Sequence, residues 1–157
     1  MKTIREYFEE DHDRLDDLFK NFQKTKSTDY AKAKTFFVEF RTGLQRHIIW
    51  EEEILFPLFE RKTGITSGGP TEVMRMEHRE IGQHLEAIHD KVKVADPGSD
   101  AEEQRLLDVL SLHNMKEENI LYPAIDNSVT PEEVKKVFEE MQQVPESRYA
   151  QCCAPLK

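Results

Sequence analysis

Two parts of this sequence repeat one another at an offset of 66 residues, and each contains the same motif. The segment Glu51-Glu52-Glu53-Ile54-Leu55-Phe56-Pro57 is matched by Glu117-Glu118-Asn119-Ile120-Leu121-Tyr122-Pro123. Four histidines keep the same offset, because His12 corresponds to His78 and His47 to His113. Within each repeat the two histidines lie 35 residues apart, which leaves room for two helices and a turn. The sequence therefore predicts a helical hairpin that occurs twice.

Apolar residues recur at helical spacing throughout the chain, and the alternation typical of strands is absent. Turns are predicted beside Asp29, at Gly64 to Pro70, and at Asp96-Pro97-Gly98, midway between successive histidines. We therefore predict an all-α fold, an up-down-up-down four-helix bundle with a short C-terminal fifth helix that runs to about Gln143. The bundle domain would span 1–144 and a flexible tail 145–157. Amino-terminal caps are expected at Thr3 with Glu6, Ser99 with Glu102, and Thr130 with Glu133.

Six polar residues interrupt the apolar faces of the four main helices, and all six point inward by the 3.6-residue period. In the fourth helix, for example, two of them fall among predicted core residues: His113 and Glu117 lie among Leu106, Leu110, Ile120 and Leu121. A buried carboxylate without a partner is costly, so a set of this kind needs a shared partner. Side chains four residues apart point the same way, which is how one helix offers two ligands. The predicted metal ligands are His12, His47, Glu51, His78, His113 and Glu117.

The same pattern has a plainer interpretation, a structural bundle in which the histidines are hydrogen-bonded core residues. His84 and His89 flank the predicted core face and are expected at the surface or behind a ligand. Trp50 is expected in the core or at an interface. Glu52, Glu53 and Glu118 are expected to point outward, with one of them a candidate acceptor for a ligand's second ring nitrogen.

Mixed imidazole and carboxylate ligands disfavour calcium and magnesium, which prefer oxygen, and also copper sites built on thiolate. A haem would use one or two histidines and leave both glutamates without a role. The set suits a pair of iron or manganese ions, and zinc is a further alternative.

Composition narrows the classes of function. A net charge of −9 argues against a nucleic-acid partner, because an acidic surface repels phosphate. No apolar run has the length of a signal peptide or of a membrane span, so we predict no membrane association and a cytoplasmic location. Cys152 and Cys153 are expected to be free thiols on the tail, with metal binding or intermolecular disulfides as alternatives.

The arrangement His12…His47-x-x-x-Glu51…His78…His113-x-x-x-Glu117 resembles the hemerythrin-like (HHE cation-binding) family. Gly68-Gly69-Pro70 before Val73-Met74-x-x-Glu77-His78 is also similar to that family, and the resemblance covers about residues 3 to 126. It implies two iron ions bridged by Glu51, Glu117 and an oxo or hydroxo group. His12 and His47 would then bind mainly one iron, and His78 and His113 the other.

One position departs from the family's oxygen carriers, which have a fifth histidine one turn after the third-helix ligand, where this chain has Gly82. The resemblance therefore implies a more symmetric and more open centre than that of a reversible oxygen carrier. The first hypothesis is a non-haem di-iron protein that binds or senses oxygen, nitric oxide or peroxide. The alternatives are an enzyme that degrades peroxide (catalase- or peroxidase-like) and a protein of iron storage or iron–sulfur repair.

Overall fold

A computed structural model describes residues 1–150, and between these residues the chain is helical without any strand. Two helices are continued by a π-helical turn, Glu51–Leu55 after α2 and Glu117–Leu121 after α5, and a short 3₁₀ turn spans Glu146–Arg148. The α-helices are α1 Ile4–Thr25, α2 Tyr30–Trp50, α3 Phe56–Thr63, α4 Pro70–Lys93, α5 Asp100–Lys116, α6 Tyr122–Ser128 and α7 Pro131–Gln143.

Four helical rods form the bundle, because α2 runs into α3 and α5 runs into α6 through the π-helical turns. Helix α1 packs along α2, and α4 along α5, so that each sequence repeat is one antiparallel hairpin. Gly43 permits the close approach of the first pair, since a Cβ there would lie 2.7 Å from Cδ2 of Leu15. The predicted four-helix bundle with a short fifth helix, α7, is confirmed.

The helix boundaries follow local chemistry. Thr3 and Thr130 form capping boxes with the glutamate three residues later, as the sequence predicts. Gly64 ends α3 with φ of 75°, a conformation that glycine adopts without steric cost. Ser99 is the N-cap residue of α5, as predicted, but its side chain makes no capping hydrogen bond. The Ser99 hydroxyl instead donates to the buried carboxylate of Glu103, 2.5 Å away.

Two apolar clusters fill the bundle, one on each side of a layer of buried histidines and glutamates. One cluster contains Phe8, Phe56 and Tyr122, and the other contains Phe22 and Phe37, each of them fully buried. Burial of one such side chain contributes about 1.5–3 kcal/mol, so these clusters can offset the cost of the polar layer between them.

Helix α7 breaks the symmetry between the two repeats. It packs over the first π-helical turn, where Ile54 is 9% exposed and lies with Val134 and Val137. Ile120, at the equivalent place in the second repeat, is 62% exposed. The prediction that Ile120 belongs to the core is therefore wrong, because no helix of residues 1–150 covers that turn as α7 covers the first.

The segment after α7 returns to the bundle at Tyr149, which is 6% exposed. Its hydroxyl accepts a hydrogen bond from Nε1 of Trp50 at 2.8 Å, and Arg148 pairs with Glu53. Trp50 is thus a buried residue that holds this segment. Cys152 and Cys153 lie outside the described residues, and the domain boundary at 144 stays a prediction. Within residues 1–150 no helix combines the length and apolarity needed to cross a membrane.

Candidate metal site

Both predicted glutamate ligands stand at the first residue of a π-helical turn. The N–H of Phe56 donates to the carbonyl of Glu51, five residues back, and Tyr122 donates likewise to Glu117. Pro57 and Pro123 follow these turns. A proline has no N–H and its ring clashes with the carbonyl four residues back, so the wider turn accommodates it without breaking the rod. Residues five apart then face the same side, which directs Tyr122 toward the glutamates.

The structure brings all six predicted ligands together in the layer between the apolar clusters. Each is at most 3% exposed, and both glutamates are completely buried. Ring centroids of His12 and His47 lie 4.6 Å apart, and those of His78 and His113 lie 4.9 Å apart. The site therefore contains two histidine pairs, each contributed by one hairpin.

Each glutamate contacts one histidine from each pair. The Glu51 carboxylate lies 3.5 Å from Nε2 of His47 and 3.1 Å from Nε2 of His78. The Glu117 carboxylate lies 3.3 Å from Nε2 of His113 and 3.2 Å from Nε2 of His12. Both carboxylates thus span the two pairs, as carboxylates that bridge two cations would.

Several atoms in this layer are buried without a hydrogen-bond partner in the described part of the chain. They are Oε1 of Glu51, Oε2 of Glu117 and Nε2 of His78. Nε2 of His78 lies 3.1 Å from Oε1 of Glu51, but the pair lacks hydrogen-bond geometry. Unpaired buried polar atoms cost free energy, and a cation would satisfy all three. One nitrogen or oxygen from each of Glu51, His78, His113 and Glu117, and likewise from His12, His47 and Glu117, lies within 4.8 Å of the others.

Comparison with known proteins also points to a domain that binds cations. The chain matches the hemerythrin HHE cation binding domain over residues 3–125. It belongs to this family. Family membership and the buried histidine–glutamate cluster together indicate that the domain binds a metal.

Similar proteins carry names of iron–sulfur repair. A probable iron-sulfur cluster repair protein of Haemophilus influenzae is 33% identical over 93 residues, which are 54% of this chain and 42% of that protein. The iron-sulfur cluster repair protein YtfE of Enterobacter sp. strain 638 is 27% identical over 135 residues, 76% of this chain and 61% of that protein. YtfE of Escherichia coli O81 is 35% identical over 89 residues, 51% of this chain and 40% of that protein. The HHE domain thus spans about 40–60% of the length of these relatives, and no solved structure matches it.

In the HHE domain, every one of the four histidines has a carboxylate behind its outer nitrogen, Nδ1. Asp11 and Glu77 directly precede His12 and His78, on the helix paired with that of the histidine they support. Glu52 and Glu118 directly follow Glu51 and Glu117, the predicted ligands of the other hairpin. The Nδ1–oxygen distances are 2.9 Å from His47 to Asp11, 2.9 Å from His113 to Glu77, 2.6 Å from His78 to Glu52, and 2.7 Å from His12 to Glu118. An Nδ1–H held in this way leaves Nε2 free to face the centre of the layer.

These carboxylates decide the protonation of the histidines when no metal is bound. Burial by itself lowers the pKa of His47, but the charge of Glu51 and hydrogen bonds to Asp11 and Glu51 raise it to about 10. His113 behaves likewise: burial lowers its pKa, and Glu117 and Glu77 raise it to about 10. Burial raises the pKa of Asp11, whereas its bond to His47 and the nearby Arg14 bring it down to about 2. Near neutral pH the metal-free protein therefore has protonated imidazoles at His47 and His113 and an ionised carboxylate at Asp11.

Tyr122 is a member of the site that the sequence analysis missed. Its buried hydroxyl lies 2.6 Å from Oε2 of Glu51 and 2.9 Å from Oε1 of Glu117, and 3.2 Å from Nε2 of His47. Burial and the two carboxylates raise its pKa well above 10, so the phenol stays protonated beside the carboxylates. The sequence signal for Tyr122 was the aromatic-Pro ending of the repeated motif. The first repeat has Phe56 at this position and the second has Tyr122, which carries a hydroxyl.

The remaining residues discussed from the sequence differ in whether they contact the histidines of this layer. Glu52 and Glu118 do not point freely outward but hydrogen-bond to His78 and His12, whereas Glu53 pairs with Arg148 at the surface. His84 and His89 are half-buried on α4, and His89 contacts Glu86. Gly82, where the oxygen carriers have a fifth histidine, is buried in α4 and brings no side chain to the centre.

Proposed function

We propose that this HHE domain holds two iron ions and binds or senses a small molecule there: oxygen, nitric oxide or peroxide. The observation that supports this best is the placement of Glu51 and Glu117, each of which contacts one histidine of both pairs. A single cation would leave one pair unused. Two cations, with His12 and His47 on one and His78 and His113 on the other, use all six residues.

Family membership favours iron among the metals that this donor set allows. Four imidazole nitrogens and two carboxylates suit iron, manganese and zinc, and the family is named for hemerythrin. A pair of irons supplies open coordination positions at which small molecules bind and exchange electrons. The protein's own groups orient the ligands through Asp11, Glu52, Glu77 and Glu118, and they exclude bulk water with the two apolar clusters.

The size of the surrounding space supports a small ligand. A cavity of about 10 Å³ adjoins the layer, walled by Leu15, Phe40, Leu44, Ile81 and Leu110 together with the ligand residues. Such a volume admits about one water-sized molecule. Organic substrates are therefore disfavoured, and ligands of only a few atoms are favoured.

Metal content of protein from iron-supplemented cells tests this proposal directly. We expect about two irons per chain, with near-ultraviolet absorption. A His78→Ala variant should lose iron, whereas His84→Ala, on the same helix but outside the layer, should keep the full load. A full load in His78→Ala, or zinc or no metal in the unaltered protein, would contradict the di-iron assignment.

The chemistry of the loaded centre separates a binding or sensing protein from an enzyme. A reversible colour change with oxygen or nitric oxide, without steady turnover, is expected of a binding protein. Continuous loss of peroxide that disappears in Glu51→Ala would indicate a peroxide-degrading enzyme instead.

Iron–sulfur repair is a second candidate, favoured by the names of the similar proteins from Haemophilus, Enterobacter and Escherichia. It requires that iron leave the site, unlike the first candidate. Transfer of radioactive iron from the loaded domain to a metal-free iron–sulfur protein would support repair. Retention of iron over the same period, with ligand binding intact, would support the binding function.

A further inference from the structure

The candidate metal layer is closed on several sides. Phe8, Phe56 and Tyr122 pack beneath it without exposure. Helix α1 packs extensively along α2, and α4 along α5, whereas contacts between the two hairpins' long helices are sparse. The seams between the hairpins are therefore the more open routes to the site.

At the seam between α1 and α5 the inner cavity meets a groove of the surface. A surface groove of about 540 Å³ runs along this seam. Groove and inner cavity share three lining residues, Asp16 on α1 and Leu110 and Asn114 on α5. Asp16 is exposed and Asn114 is half-buried. These three side chains therefore lie between the groove and the inner cavity.

The opposite seam, between α2 and α4, carries different residues at the equivalent positions. Applying the 66-residue offset, Asp16 corresponds to Gly82, Leu110 to Leu44 and Asn114 to Ile48. The polar pair of the first seam is thus replaced by a glycine and an isoleucine.

A salt bridge closes the second seam, with Nη2 of Arg41 lying 3.6 Å from Oε2 of Glu86. The equivalents of these two residues, Leu107 and Lys20, line the open groove and cannot form that bridge. The two seams therefore differ by sequence as well as by shape.

The charges that line the groove favour some entering molecules over others. Four carboxylates line it against one ammonium group, those of Asp13, Asp16, Asp108 and Glu118 against that of Lys20. A cleft lined by one sign of charge repels ions of that sign and slows their entry. An uncharged molecule meets no such barrier.

Three observations point to one route: the shared wall, the asymmetry of the seams and the acidic rim. We propose that the α1–α5 seam is the entrance to the metal centre and that Asp16 and Asn114 form its gate. The entrance admits small uncharged molecules and delays small anions. This inference rests on the proposed di-iron function and names its ligand class. Nitric oxide, oxygen and hydrogen peroxide belong to the admitted class, and azide is a convenient representative of the delayed one.

Steric closure of the gate is the first test. Nitric oxide association is followed by stopped-flow absorbance with iron-loaded protein carrying Asp16→Phe. The matched control is Asp17→Phe, at the neighbouring exposed residue, which lines neither groove nor cavity. We expect Asp16→Phe to slow association about tenfold or more, and Asp17→Phe to stay within about twofold of the unaltered protein.

Removal of the acidic charges is the second test. The double variant Asp16→Asn with Asp108→Asn should raise the azide association rate by up to about tenfold at low ionic strength. The gain should vanish in molar salt, where the Debye length is about 3 Å, and the rate for uncharged nitric oxide should not change. Asp17→Asn is the control.

Iron content, measured first, distinguishes the possible failures. If the unaltered protein holds no iron, the di-iron function fails and the entrance with it. If Asp16→Phe and Asp17→Phe hold equal iron and bind nitric oxide equally fast, the entrance is wrong and the metal centre stands. If Asp16→Phe loses iron, Leu107→Trp replaces it as the test, because Leu107 lines the groove but not the cavity. An unchanged nitric oxide association rate in Leu107→Trp overturns the proposal.

Discussion

Oδ2 of Asp11 on α1 lies 2.9 Å from Nδ1 of His47 on α2, and the same contact recurs between Glu77 on α4 and His113 on α5. In each case the acid directly precedes a histidine of its own helix, His12 or His78, and supports the histidine of the partner helix. The repeat thus copies an acid behind the ligand as well as the ligand itself. Such an acid fixes the ring and makes its metal-facing nitrogen more basic.

Asp11→Asn is expected to weaken iron binding about 10- to 100-fold while leaving the bundle folded, because a neutral amide supports the imidazole less well. Competition with a coloured chelator measures the change. Asp17→Asn, an exposed substitution on the same helix, is the control. Equal iron affinity in the two variants would show that Asp11 does not act on the metal.

The stability of the metal-free protein is expected to depend on pH through the histidines. The folded-state pKa of His47 and His113 is about 10, above the ordinary value of 6.5, so folding favours their protonated forms. Their contribution is fully present below pH 6.5 and is lost as the pH rises toward 10. Asp11 has a lowered pKa of about 2, so its contribution is present above pH 3.8 and is lost as the pH falls toward 2.

Denaturant unfolding of chelator-treated protein from pH 4 to 10 checks this profile. The free energy of unfolding should be greatest between about pH 4 and 6.5 and fall on the alkaline side. Since metal ligation needs neutral imidazole, iron should also displace protons and bind more tightly as the pH rises. A flat alkaline limb, or one that persists unchanged in His47→Ala, would contradict the assignment to these histidines.

Tyr122→Phe is expected to destabilise the metal-free protein more than the iron-loaded protein. The hydroxyl is a buried donor to carboxylates of Glu51 and Glu117, and its loss should cost about 1–3 kcal/mol in the metal-free protein, because it leaves buried carboxylate oxygens without this donor. Bound metal would take over that compensation. Denaturant midpoints with and without iron give the comparison.

Tyr30→Phe is the control for this substitution, because the Tyr30 hydroxyl donates to the carbonyl of Asp96 far from the metal layer. It should lower stability by the same small amount in both forms. If Tyr122→Phe also acts equally with and without iron, its hydroxyl does not offset the carboxylate charge.

The 3.6-residue period and the 66-residue repeat were sufficient to predict the bundle and the six inward polar residues. They could not predict the π-helical turns, because the period assumes a regular α-helix. An extra residue in one turn changes the direction in which all later side chains of that rod point. Pro57 and Pro123, inside otherwise continuous helical patterns, were the signal for those turns. Tyr122 was missed for the same reason, since only the wider turn directs it to the centre.

Two other features depended on tertiary contacts. Ile54 and Ile120 are equivalent in the repeat, and nothing local shows that α7 covers one and leaves the other exposed. The acids behind the histidines were hidden among 31 acidic residues, most of which have other environments. The 66-residue offset relates Asp11 to Glu77 and Glu52 to Glu118, so the repeat contained information that the composition concealed.

Adjacent glutamates in the second π-helical turn allow a direct comparison of a ligand with its supporting acid. Glu117 is completely buried and faces the histidines, whereas the Glu118 side chain is 23% exposed and holds His12 from behind. Glu117→Gln is expected to lose iron, because an amide is a poor bridge between two cations. Glu118→Gln is expected to keep about two irons with affinity reduced about 10- to 100-fold. Iron content after dialysis, followed by chelator competition, separates the two. The same partial loss in both variants would indicate that Glu117 supports the centre without bridging it.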